Sequence, residues 1–260
     1  MDEQVVTFSK SGKIGYIHLN RPPANSYQIE FMRQFNEAIQ EANESADVRV
    51  VIVRSKLPRF FSAGADIKAF MENDTAGNMG MIRFAHSTLD KMRASSKVFI
   101  AAIGGHALGG GLEIALACDL RFAEEGNYKL GLPEVTLGLL PGNGGTQRLP
   151  RLIGASRALE LMITGETVSP PEALGMGLVN HLYPAGQLVE QTESFAGRLA
   201  SGASLAIRQI KRAVYEGIEL PMEEALALER ELIEPLFDSE DAREGFSAFA
   251  EKRQPVYKGR

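Results

Sequence analysis

The chain has 260 residues, with 28 Lys and Arg against 33 Asp and Glu, and a formal net charge of −5. That balance argues against nucleic-acid binding and leaves any anionic ligand dependent on local donors. Hydrophobic residues at 44% and charged residues at 23% fit an enzyme-sized fold with a full core, and the single cysteine excludes both an intrachain disulfide and a cysteine-based metal site.

The acidic opening Met1-Asp2-Glu3-Gln4 has neither the basic start of a signal peptide nor the Arg-rich character of a transit peptide. No apolar run is long enough to span a bilayer, so the expectation is a cytoplasmic protein with no membrane partner.

Val5 to Ser9 and Ile14 to Leu19 read as strands of a hairpin around Ser11-Gly12, closed by Asn20-Arg21-Pro22-Pro23. From Tyr27 to Ala42 the apolar residues Ile29, Phe31, Met32, Phe35, Ala38 and Ile39 recur at helical spacing, and Val48 to Val53 follows as a buried strand. The small residues Ser62-Ala63-Gly64-Ala65 then lead into a helix opening at about Asp66, which exposes backbone N–H groups at its start. A helix from about Ala76 to Met92 precedes a strand from Val98 to Ile103.

Next come three consecutive glycines, Gly109, Gly110 and Gly111, directly before the apolar helix Leu112 to Ala117. Without side chains on the first turn, the unpaired N–H groups can approach a ligand oxygen closely, and the helix dipole favours negative charge there. Glu113 stands three residues after Gly110, so its carboxylate shares a helix face with the Gly110 amide. Taken alone, these residues equally fit close packing with a helix-start glutamate. Cys118, among Leu116, Ala117 and Leu120, reads as a structural thiol.

Short strands at Asp119 to Ala123 and Tyr128 to Leu130 lead into a long glycine-rich loop, Gly131 to Gly145, in which Glu134 is the sole ionisable group between Lys129 and Arg148. A lone carboxylate in such surroundings is expected to be desolvated, which raises its pKa and suits it to proton transfer. Beyond Gln187 the chain becomes charge-dense and helical, over Leu188 to Leu199, Leu205 to Val214, Met222 to Leu236 and Asp241 to Lys252. This divides the chain into a core at 1–186 and a helical region at 187–260. The four histidines show no mutual ligand spacing, so no metal is expected.

Taken together, Ser62-Ala-Gly-Ala-Asp-Ile-Lys68, Gly104-Gly-His-Ala-Leu-Gly-Gly-Gly-Leu-Glu113, Leu132-Pro-Glu134 and Leu140-Pro-Gly-Asn-Gly-Gly-Thr-Gln147 resemble the enoyl-CoA hydratase (crotonase) family, and the likeness runs down to Arg243–Arg253. The resemblance implies an α/β spiral of repeated strand-strand-helix turns with C-terminal helices that assemble trimers or hexamers. Its ligands would be acyl thioesters of coenzyme A, with coenzyme A part of the substrate and no separate cofactor. Carried over by motif, the amides of Ala65 and Gly110 would form an oxyanion hole, and Glu113 and Glu134 would be the catalytic carboxylates. Ala63, Asp66, Ile67 and Lys68 would border the coenzyme A moiety, and Gly142 would shape the site around the reacting water. Asn25-Ser26-Tyr27 departs from the Asn-Ala-Leu or Asn-Ala-Met found in many relatives, which alters the local acyl or coenzyme contacts. The activity expected is hydration of 2-trans-enoyl-CoA to 3-hydroxyacyl-CoA, as in fatty-acid β-oxidation. A double-bond isomerase or another acyl-CoA-processing enzyme of the family stands as the alternative, and a non-catalytic acyl-CoA-binding protein as the reading from another class.

Overall fold

The computed structural model describes residues 3–260. The chain opens with β1 (Val6–Ser11) and β2 (Ile14–Leu19), an antiparallel hairpin whose turn places Gly12 at φ +55°. Helix α1 (Ile29–Glu44) buries Phe31, Met32, Phe35, Ala38, Ile39 and Ala42, the face its spacing predicts. From there the chain climbs in turns that give one strand to each of two sheets before a helix. The first turn is β3 (Val50–Ser55), β4 (Phe60–Ser62), α2 (Ile67–Glu72) and α3 (Thr75–Ala94). The second is β5 (Val98–Ile103), β6 (His106–Leu108) and α4 (Gly110–Ala117). The third is β7 (Leu120–Glu124), β8 (Leu130–Gly131), a 3-10 turn at Glu134–Leu137, α5 (Gly145–Ile153) and α6 (Ala155–Thr164).

The strands β9 (Thr167–Val168) and β10 (His181–Tyr183), with α7 (Pro170–Gly175) between them, complete the sheets. The larger sheet runs β1-β2-β3-β5-β7-β10, parallel from β2 onward, and the smaller runs β4-β6-β8-β9, with only β9 antiparallel. The turns differ in length because their helices differ, which is why no fixed sequence period marks the repeat.

Both faces of the large sheet are covered, so β3 and β5 are continuous apolar runs. Successive residues point to opposite sides. Val51, Val53, Phe99 and Ala101 face α1, α3 and α4 in the main core, while Val50, Ile52, Val98 and Ile100 face Leu188, Ala196 and Ala200 of α8 (Leu188–Ala200). Three further helices follow, α9 (Ser204–Gly217), α10 (Met222–Ile233) and α11 (Glu240–Glu251). The buried Lys211 anchors α9 by donating to Met92 O and Lys97 O, both at 2.8 Å, and to Asp119 Oδ2 at 2.9 Å.

Several boundaries shift by a residue or more, and two of the shifts bear on the site. Tyr27 lies outside α1, because its backbone is taken by a bridge to Ala65. Helix α4 begins at Gly110 instead of Leu112, so two of the three glycines form its first turn. Among the described residues, no helix is long and apolar enough to cross a membrane.

Candidate active site

Two loops carry the backbone donors. Tyr27 N donates to Gly64 O at 2.9 Å and Asp66 N donates to Tyr27 O at 2.8 Å, an isolated parallel bridge centred on Ala65. In such a bridge the central residue turns its own N–H away from the partner, and the Ala65 N–H makes no hydrogen bond among the described residues. Gly110 is the first residue of α4, where an N–H has no intrahelical acceptor. Gly64, at φ +88°, brings the loops together: a β-carbon there would stand 2.8 Å from Leu108 O and 3.0 Å from Gly110 N. Glycine at 64 is thus required twice, by its left-handed backbone and by the close approach.

Glu113 projects from the first turn of α4 and is 1% exposed. Its Oε1 accepts two backbone N–H groups, from Asn143 and Gly145, each at 2.7 Å. Burial pushes its pKa from 4.5 up to about 7; the Glu134 charge adds to the rise, and the two amides oppose it. Glu134 starts the 3-10 turn after β8, and its Oε1 would lie 3.1 Å from a β-carbon on Gly109. The two carboxylates therefore flank the N-terminus of α4. Glu134 Oε2 is buried with no hydrogen-bond partner among the described residues, and burial raises this group as well. A buried carboxylate oxygen without a partner is costly if ionised, which favours the protonated acid.

The remaining site residues named from the sequence divide by position. Gly142 directly precedes the Asn143 amide that binds Glu113, and its carbonyl lies 2.6 Å from His86 Nε2. Ala63 is held by its N–H to Ala24 O at 2.9 Å. Asp66 caps α2 by accepting the Lys68 N–H and pairs with Arg21 at 3.1 Å, while Ile67 and Lys68 are exposed on the first turn of α2. The two amides and two glutamates are thus gathered on α4 and the loops against it, with Asp66, Ile67 and Lys68 on the outer rim.

From the sequence, Tyr27 is marked only as part of a departure from the family pattern, and Asn143 and Arg148 have no assigned role. Tyr27 packs its ring against the Gly110 α-carbon, and its hydroxyl accepts from Asn143 Nδ2. Arg148 Nη1 donates to Asn143 O at 2.8 Å, which fixes the loop that presents amides to Glu113. A buried asparagine in a glycine loop followed by an arginine was the available signal.

The family profile described as enoyl-CoA hydratase/isomerase matches residues 9–260. An enoyl-CoA hydratase crystal structure from Geobacillus kaustophilus superposes with a TM-score of 0.97 at 50% identity, covering 100% of this chain and 98% of that one. One from Bacillus anthracis gives 0.94 at 38% identity, covering 99% and 100%. A crotonyl-CoA hydratase of Syntrophomonas wolfei is 37% identical over 256 residues, 96% of each chain. With a match over nearly its whole length and the same spiral of two sheets, the chain belongs to the enoyl-CoA hydratase/isomerase family.

Proposed function

We propose that this protein hydrates 2-trans-enoyl-CoA thioesters to 3-hydroxyacyl-CoA. The observation that carries the reading is a buried carboxylate, Glu113, and a half-buried one, Glu134, both with pKa raised by desolvation, set beside two backbone amides, Ala65 and Gly110, that are unpaired among the described residues. The names of its relatives, crotonyl-CoA hydratase among them, support the substrate class.

In this reading the thioester oxygen sits between the Ala65 and Gly110 amides. Glu113, oriented by two backbone donors and ionised above about pH 7, takes a proton from water as the water oxygen bonds to the β-carbon. The double-bond electrons move toward the thioester oxygen, where fixed donors in a dry site stabilise the enolate charge without reorganising. The enolate collapses, and Glu134, entering as the neutral acid, protonates the α-carbon. Water has then added OH and H across the bond, and a proton returned from Glu113 to Glu134 restores the site. All groups required are protein groups, so coenzyme A enters only as part of the substrate. Ile67 and Lys68, exposed on the first turn of α2, would border it in this reading.

The helical region is read as an assembly surface. Ile210, Val214, Ile218, Leu226 and Ile233 on α9, its C-terminal end and α10 are all exposed in the single chain, an apolar surface that a second copy would cover. The assembly we propose is a trimer or a pair of trimers acting in the cytoplasm.

Loss of the ultraviolet enoyl-thioester band on adding crotonyl-CoA, with a product heavier by one water, tests the activity. Absence of hydration alongside 3-to-2-enoyl isomerisation would instead make the protein an isomerase. Absence of both, with tight thioester binding, would make it a binding protein.

A further inference from the structure

The mechanism above gives the Tyr27 side chain no task, yet Tyr27 is one of the most enclosed polar groups of the site. It is 2% exposed, and its Cζ would lie 2.6 Å from a β-carbon on Gly110. Its hydroxyl oxygen is held by the Asn143 carboxamide, and Asn143, itself 6% exposed, gives its backbone N–H to Glu113. The oxygen thus has its donor, but the phenolic proton has no acceptor among the described residues. Nearby groups explain where that proton can go. Glu113 and Glu134 both act on the phenol electrostatically, and Glu134 Oε2 is buried without a hydrogen-bond partner among the described residues. A phenolic proton beside Gly110 and a buried carboxyl oxygen beside Gly109, each without a partner among the described residues, are groups that a polar ligand atom would complete.

We propose that Tyr27, oriented by Asn143, donates a hydrogen bond to the oxygen on the β-carbon of the acyl chain, the oxygen that arrives as water and remains as the 3-hydroxyl. This rests on the thioester reading given above. The thioester oxygen is served by the Ala65 and Gly110 amides, so it does not call for the phenol. The water oxygen does, since Asn143 links Tyr27 directly to the carboxylate assigned to that water. Burial first, and then the negative charge of Glu113, hold the phenolic proton in place, so Tyr27 acts as a fixed donor and no proton leaves it. A donor there orients the attacking water and, in the reverse direction, steadies the departing hydroxide. The consequence is a preference for acyl thioesters that carry an oxygen at the β-carbon.

The experiment is calorimetric titration of the parent and of Tyr27→Phe with 3-hydroxybutyryl-CoA and with butyryl-CoA, which lacks the β-oxygen. Phenylalanine keeps the ring but leaves Asn143 Nδ2 unpaired, so Tyr27→Phe/Asn143→Ala is measured in parallel and replaces the single variant if that does not fold. The hydroxylated thioester should bind about tenfold more weakly to the variant, as expected for one lost hydrogen bond, while butyryl-CoA affinity is unchanged. Equal weakening of both ligands would mean that Tyr27 only packs the site, and unchanged affinity for both would mean that its proton points elsewhere; either result overturns the proposal. Crotonyl-CoA hydration by the parent reports separately on the thioester reading, so the two failures are distinguishable.

Discussion

Glu113 and Gly145 are locked to each other. The Gly145 N–H reaches Glu113 Oε1 at 2.7 Å, and a β-carbon on Gly145 would stand 3.0 Å from that same oxygen, 2.8 Å from Leu132 Cδ1 and 2.9 Å from Pro141 Cβ. Helix α5 therefore begins with a residue whose missing side chain sets the carboxylate position. Gly145→Ala should push Glu113 out of place and cost about 1–3 kcal/mol of stability through overpacking. Hydration should fall by at least tenfold, and steady-state kinetics with a urea melt check both. Parental turnover would show that the carboxylate does not depend on this contact.

The raised pKa of Glu113 has a sign that stability measurements can read. The native state holds this proton up to about pH 7, whereas the unfolded chain releases it near 4.5. The stability it contributes is thus fully present below pH 4.5 and lost as pH rises through 7. Glutamine mimics the neutral acid and its carbonyl can still accept both amides. Glu113→Gln should match the parent at low pH and exceed it by about 3 kcal/mol at pH 8, while losing activity. Denaturant melts at pH 5 and pH 8 decide it; an offset that does not change with pH would show that Glu113 titrates normally.

The parts of this architecture legible in the sequence are those that follow from sterics and periodicity. The apolar stripe of α1, the continuous runs of β3 and β5, and the glycines before α4 each leave a pattern, and each is present in the structure as the element that the pattern predicts. Glu134 was legible as a carboxylate alone in an uncharged loop, and it is indeed desolvated. Tyr27 was not, because helical spacing absorbs it into α1, whereas a long-range bridge to Ala65 fixes it. Asn143 and Arg148 stayed hidden for a similar reason: their roles are hydrogen bonds to a loop and to a tyrosine 116 residues away in sequence, and composition carries no trace of such pairings.

Lys211 tests how α9 is attached. Its ammonium is buried and has three acceptors, two carbonyls and Asp119, and Asp119 Oδ2 also receives the Phe99 N–H at 2.7 Å. Lys211→Met leaves a buried carboxylate and two carbonyls without their donor, an unpaired charge costing about 3–5 kcal/mol. Lys211→Met/Asp119→Asn should recover part of this, since asparagine can still accept from Phe99. Thermal melts of the two variants compare them, and a single variant as stable as the parent would mean that α9 is held by its apolar contacts alone.

Gly110 and Tyr27 should be coupled. A β-carbon on Gly110 would overlap the Tyr27 ring, with Cε1 and Cζ at 2.6 Å. Gly110→Ala should then cost stability and cripple turnover, because the displaced helix start moves the amide assigned to the thioester oxygen; losing such a donor costs about a hundredfold to a thousandfold in rate. Combining it with Tyr27→Leu, which removes the ring, should restore much of the stability. A double-mutant cycle on melting free energies measures the coupling, and strict additivity would refute it.

The two glutamates can be separated by what each is asked to do. Both should matter to hydration, with Glu113→Gln and Glu134→Gln each lowering the rate by roughly a hundredfold or more. Their side reactions should differ. Exchange of the α-hydrogen of a saturated acyl-CoA with deuterated water needs a base at the α-carbon but no activated water. The ionised fraction of Glu134 has an oxygen left unpaired beside Gly109 to take the α-proton, whereas Glu113 Oε1 is already committed to two amides that fix it for the water. Exchange should therefore suffer more from Glu134→Gln. An isomerase would tolerate Glu113→Gln, since one carboxylate can carry a proton between carbons two bonds apart. Hydration of crotonyl-CoA by Glu113→Gln, with folding checked by circular dichroism, is the deciding measurement. A rate equal to the parent's would end the two-carboxylate mechanism and leave Glu134 to act alone.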